Sequence, residues 1–195
     1  LVALGAAFLI IGWYGFNAGS ALAADGSAVR ALINTHVAAC GGVAAWMVIE
    51  MILRRFTTMI GVLTGAIGAL VAITPASGYV GTEAALLIGA LGAAAAFVGA
   101  VLLRRAGLFD DSLDVFGVHG VAGCVGSVMV GVFAAPEVAP NASLSAQLAA
   151  TGIVAVFSFI VTLLLAYVLN LLVRARVSNK EEAEGLDSTY HGETA

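Results

Sequence analysis

Six uncharged stretches set the terms for this chain: residues 1–24, 31–49, 56–82, 84–103, 115–136 and 138–173. Each is at or near the ~20 residues that cross a hydrocarbon core as a helix. Lipid offers no partner to a free backbone N–H or C=O, so a spanning segment must satisfy its own hydrogen bonds. A membrane β-barrel would need short strands of alternating polarity, whereas these runs are continuous and dominated by Ala, Leu, Ile and Val. The expected fold class is an all-α, polytopic transmembrane bundle of six spans. Composition agrees, with 61% hydrophobic and 10% charged residues against about 45–50% and 25% in soluble domains. An ordinary soluble enzyme and a disordered chain are both excluded. Eight Lys+Arg against twelve Asp+Glu make no basic face, so nucleic acid is not an expected partner.

The charges fall in the gaps between spans and give the chain a direction. Arg54-Arg55, Arg104-Arg105 and Arg174/Arg176 follow the second, fourth and sixth spans, while Arg30 is the only basic residue of the alternate loops. Seven of the eight basic residues lie on one side once Lys180 is counted, and the positive-inside rule makes that side cytoplasmic. The expected organisation is a transmembrane domain over 1–173 and a polar, acidic cytoplasmic tail over 174–195. The chain opens at Leu1 inside an apolar run with no basic lead. It therefore does not read as a signal peptide and is expected to be the C-terminal part of a longer protein.

Glycine is abundant, 24 residues, and sits inside spans. Gly61 and Gly65 form a small-xxx-small pair, and Gly117, Gly120, Gly123 and Gly126 recur at every third position. Small residues let helix backbones approach closely in a bilayer. They suit a tight bundle and equally a narrow pathway. Thr74-Pro75, followed by Ser77-Gly78, reads as a structural helix end, because Pro lacks the donor a continuing helix needs.

His119 is the leading candidate for chemistry. Entering at about residue 112 and rising 1.5 Å per residue, it lies ~10 Å into the fifth span. A polar group at that depth faces the bundle interior or a pathway by default. A neutral imidazole has one donor and one acceptor nitrogen, so it can pass a proton or bind a small polar solute. A structural imidazole tied to a backbone carbonyl is the competing reading. Val115, four residues earlier, shares its helical face, and Asp114 is expected to point the opposite way. Asp110, Asp111 and Asp114 cluster where the helix begins, as capping acids do, and are read as structural.

Leu9, Trp13, Phe16 and Ser20 fall at helical spacing on the first span. The stripe ends in two aromatic rings and a hydroxyl. Aromatic faces attract a cation by ~0.5–2 kcal/mol, and a hydroxyl can accept its hydrogen bond. An interfacial aromatic belt explains the same residues. His36 reads as a packed, hydrogen-bonded histidine, and Glu50 as a partner of Arg54 or Arg55 or a snorkelling acid. Cys40 and Cys124 read as small apolar fillers, with neither a metal nor a cofactor expected, and the sequon at Asn141 as chance.

Four strings, GWYGFNAGSALA (12–23), AITPASGYV (72–80), DDSLDVFGVHGVAG (110–123) and EGLDSTYHGE (184–193), resemble the ammonium transporter family (Amt/Mep/Rh), the bacterial members most. The resemblance runs along essentially the whole chain. It implies an eleven-span fold, built from two inverted repeats and a final helix, of which this chain would supply spans six to eleven. It further implies a homotrimer in the cell membrane, transport of ammonium or ammonia (methylammonium as analogue), and a possible PII-type regulator at the cytoplasmic face. By position His119 matches one of two pore histidines, Phe16 one of two stacked gate phenylalanines, and Ser20 the hydroxyl of the outer ammonium site. Trp13 lies in the same motif, Leu9 and Val115 match apolar pore lining, and Asp114 matches a structural acid. The second histidine and second gate phenylalanine would lie outside this sequence.

Burying an unpaired charge costs several kcal/mol. The implied route therefore recruits the cation outside, separates its proton, and passes neutral ammonia between paired histidines. An ammonium sensor on the same scaffold is the main alternative. A membrane enzyme using His119 and Asp114 is disfavoured by their expected opposed faces.

Overall fold

The structure is a computed structural model that describes residues 1–107, 111, 113–173 and 176–193, with the backbone alone of Arg104. It divides into two compact units, Leu1–Thr151 and Gly152–Ala195. The first contains α1 (Val2–Gly19), α2 (Gly26–Arg54), α3 (Met59–Ile73), α4 (Thr82–Ala106), a π-helical segment (Phe116–Val121) that runs straight into α5 (Ala122–Phe133), and the start of α6 (Leu144–Leu172). The second contains the rest of α6, α7 (Asn179–Glu184) and a π-helical turn (Asp187–His191).

Five helical segments are long and apolar enough to cross a membrane: Val2–Gly19, Gly26–Arg54, Thr82–Leu103, Phe116–Phe133 and Leu144–Leu172. The third expected span, 56–82, holds an apolar helix shorter than the run. Its helix α3 holds only 15 residues, which is about 22 Å at 1.5 Å per residue against a core of about 30 Å. Helix ends at Ile73, and Pro75 falls in the turns that occupy 74–79. This turn region is pinned from α2, where the fully buried Asn34 donates through Nδ2 to the carbonyls of Ser77 and Val80, 2.8 Å each. The second span runs longer than 31–49, because Asp25 caps α2 by accepting from the Ser27 and Ala28 amides. Arg30 therefore lies within the helix.

α2 is the centre of the first unit and packs against α1, α3 and α4, while α5 packs on α3 and α4. Glycine makes the closest crossings possible. A Cβ on Gly65 would stand 2.5 Å from Trp46 Cβ, and one on Gly126 would collide with the Ala72 carbonyl. Trp46 thereby lies against α3, and its indole meets Phe97 of α4 edge-on at 5.1 Å. Leu70, Ile73, Ile88 and Val80 fill the interior.

At the opposite end of α2 from Asn34, Glu50 is 1% exposed. Its carboxylate accepts from the Thr58 amide (2.8 Å), the Thr58 hydroxyl (3.0 Å) and Arg54 (3.3 Å). Thr58 in turn caps α3 by accepting from the Gly61 amide at 2.9 Å. Glu50 thus pairs with Arg54, one of the expected outcomes, but it is buried rather than snorkelling.

In the second unit the polar tail carries local structure of its own. Ser178 and Glu181 close a capping box at the start of α7, and the Tyr190 hydroxyl donates to Glu181 Oε1 at 3.0 Å. The signal was present as S-x-x-E at 178–181, a capping-box pattern.

Candidate functional site

α1 and the π-helical segment converge on one face of the first unit. The Trp13 indole stacks on the His119 imidazole, with ring centroids 6.3 Å apart and planes inclined by 18°. Trp13 is held from the other side, where its Nε1–H donates to Thr74 Oγ at 2.8 Å. Thr74 is anchored in its turn by donating to the Leu70 carbonyl at 2.7 Å. The end of α3 therefore fixes the ring that stands beside the histidine.

Leu9, Val115, Asp114 and His119 line a single groove of about 300 Å³, whose floor includes Ile60, Thr64 and Ile67 of α3. Leu9 also belongs to an adjoining apolar groove with Phe8, Trp13 and Phe16. The stripe read from helical spacing is thus continuous from Leu9 to Phe16. Ser20 stands just beyond the end of α1, and its hydroxyl donates to the Phe16 carbonyl at 2.9 Å. Phe16 and Val115 are 64% and 55% exposed, and His119 is exposed as well. Among the described residues the site is an open wall, so His119 faces a groove rather than the packed interior of the bundle.

The expectation that Asp114 and His119 sit on opposed helix faces is corrected. It assumed regular α geometry from Asp114 onward. The backbone at Asp114 is left-handed, φ 54°, and Phe116–Val121 is π-helical, so both residues reach the same groove. Asp114 accepts through its carbonyl from the Val118 amide at 2.8 Å. The carboxylate that caps this segment is that of Asp111, whose two oxygens accept from the Phe116 and Gly117 amides at 3.2 and 3.1 Å. Asp110 lies outside the described residues. Gly117 lets the segment press on α4, where a Cβ would stand 2.8 Å from the Ala100 nitrogen. Single π turns inserted in helices recur at functional sites, and this one carries the histidine.

Sequence reasoning missed Thr74, which it read only as a helix end. No local pattern links it to Trp13, because the two are brought together by tertiary packing. Among the described residues no group of three or more His, Cys, Asp or Glu side chains is placed to hold a metal ion.

An all-helical chain with five membrane-length apolar segments among its described residues and a largely apolar groove that carries a histidine is a multi-pass membrane protein. Comparison with known proteins narrows this class. The model of the Ammonium Transporter Family matches residues 1–195, and the chain belongs to that family. It is 43% identical over 202 residues to the ammonium transporter of Bacillus subtilis (strain 168), covering 98% of this chain and 50% of that protein. The crystal structure of Saccharomyces cerevisiae Mep2 superposes with a TM-score of 0.84 at 34% identity, covering 92% of this chain and 44% of that one. A solved structure described as a sensor Amt protein superposes with a TM-score of 0.86 at 29% identity, covering 96% and 48%. The chain spans about half the length of the relatives it matches.

Proposed function

We propose that this chain forms one wall of a pore that moves ammonium or ammonia across the cell membrane. The observation that carries the reading is the Trp13–His119 stack beside the groove shared by Leu9 and Val115. Phe16 and Ser20 form the outer approach, where rings and a hydroxyl draw in a small N–H cation. The cation gives up its proton to water at that approach. Neutral ammonia then follows the apolar wall of Leu9 and Val115 and hydrogen-bonds to His119, whose neutral ring offers both a donor and an acceptor. K⁺ has no proton to surrender and meets an apolar wall that cannot replace its hydration.

Within this proposal His119 works with a second histidine on a facing wall. That wall belongs to the length of the family fold that these residues do not cover. Asp114 and Pro75 have structural roles. Residues 1–173 are the membrane domain and 174–195 a cytoplasmic tail, where a PII-type protein can regulate the assembly, a homotrimer. The likeness to a sensor Amt protein favours a second reading, ammonium sensing on the same scaffold. Uptake of labelled methylammonium by cells producing the protein that carries this sequence separates the two. Transport predicts saturable uptake that ammonium competes away. Binding of the analogue without accumulation would support the sensor instead.

A further inference from the structure

The Tyr14–His36–Cys40 cluster takes no part in the groove described above. It lies on the seam of α1 and α2, and each of its polar atoms has a defined neighbour. Tyr14 Oη and His36 Nδ1 are hydrogen-bonded at 2.7 Å, with the rings 6.0 Å apart and tilted by 48°. The other ring nitrogen, His36 Nε2, stands 3.9 Å from Cys40 Sγ, one helical turn on. His36 and Cys40 are both exposed, and Cys40 is a free thiol. It is the fifteenth of the 29 residues of α2, at the middle of a membrane-length helix. Polar groups at that depth are costly to keep without a use.

We propose that Cys40 Sγ and His36 Nε2 form a two-donor site for a soft, thiophilic monovalent cation of the Cu(I) class. Soft thiolate ligands select such cations, and imidazole suits copper as well. The geometry fits. First-row metal bonds of the length zinc makes, ~2.0 Å to nitrogen and ~2.3 Å to sulfur, span about 4.3 Å end to end, so an ion bridging the observed 3.9 Å would be held at a bent angle between the two donors. The electrostatics fit too. One thiolate, one neutral imidazole and one monovalent cation sum to zero charge, whereas a divalent ion would leave a net charge at mid-membrane. Zinc also wants four ligands, and two protein donors do not supply them. On binding, the Cys40 S–H bond breaks, the proton leaves to water, and sulfur and Nε2 each bond the metal with no change of oxidation state. Nδ1 then carries the ring proton and donates it to Tyr14 Oη, the outer hydrogen bond that ligating histidines commonly make.

The site is independent of the transport reading and is tested by binding alone. The probe is Ag(I), followed by buffered Cu(I), titrated into the purified intact protein against a competing soluble thiol. The expected result is one tightly held Ag(I) at Cys40, which then resists maleimide labelling, while Cys124 in the same chain holds Ag(I) less tightly. His36→Ala is expected to weaken binding by roughly tenfold or more, and Tyr14→Phe by a smaller factor. Cys40→Ser abolishes the site, and maleimide-blocked parent protein serves the same purpose if that variant fails to fold. Equal affinity at Cys40 and Cys124, unchanged affinity in His36→Ala, or displacement of Ag(I) by equimolar Zn(II) would each overturn the proposal.

Discussion

The Trp13 indole is stacked in offset beside the His119 imidazole, 6.3 Å between ring centroids and 18° between planes, while its N–H is occupied by Thr74 at 2.8 Å. One face of the ring therefore addresses the histidine, and its polar edge is committed to the end of α3. Trp13 cannot swing away without leaving a half-buried N–H unsatisfied, at ~1–3 kcal/mol.

Thr74→Val tests that restraint. The variant keeps the shape but removes the acceptor, so methylammonium uptake is expected to fall several-fold, with about 1 kcal/mol lost from stability. Thr74→Ser retains the hydroxyl and should stay near the parent. Equal uptake in the Val and Ser variants would show that the hydrogen bond does not position the ring.

Glu50 ties the end of α2 to the start of α3 through Thr58. Glu50→Ala strands the Thr58 amide and leaves the Arg54 charge without its partner. Hydrogen bonds to charged groups contribute about 1.5–3 kcal/mol each, so a lowering of the unfolding midpoint in detergent by several degrees is expected. Glu50→Gln keeps an acceptor in place and should lose less. The reverse order would remove Glu50 from its place as the link.

Much of the fold was legible. The uncharged runs located the five membrane-length helices among the described residues, because charges are concentrated towards the ends of such helices, and Arg54-Arg55 marked the end of α2. Legibility failed where backbone geometry departs from the regular helix. The uncharged run by itself overshoots the end of α3 at Ile73, although Thr74-Pro75 and Ser77-Gly78 mark the helix end there. Helical periodicity likewise misplaced Asp114, because a left-handed residue and a π turn reset the register before His119. The stripe of Leu9, Trp13 and Phe16 could be read because α1 is regular there. Thr74 could not, because its role is a contact between distant parts of the chain.

Asp111 caps the histidine segment through both carboxylate oxygens. Asp111→Ala is expected to cost about 1 kcal/mol and to lower uptake, since the π turn that carries His119 loses its anchor. A variant with reduced stability but parental uptake would separate capping from positioning of the histidine.

Glycine at the helix crossings gives a paired comparison. A Cβ at Gly126 would collide with the Ala72 backbone, whereas one at Gly12 meets nothing within 4 Å among the described residues. Gly126→Ala is expected to destabilise by about 1–3 kcal/mol, as overpacking does. Gly12→Ala, on an open helix face, should be neutral or slightly stabilising. Thermal unfolding of the two variants side by side decides it, and equal midpoints would contradict the packing assigned to Gly126.

In the proposed pore His119 is the group that handles the solute. The direct measurement is methylammonium uptake, with current under K⁺, by the intact protein bearing His119→Ala. Uptake is expected to be largely lost or to give way to unselective cation passage, with expression and folding preserved. Unchanged uptake together with unchanged selectivity against K⁺ would contradict the assignment of His119 to the pore.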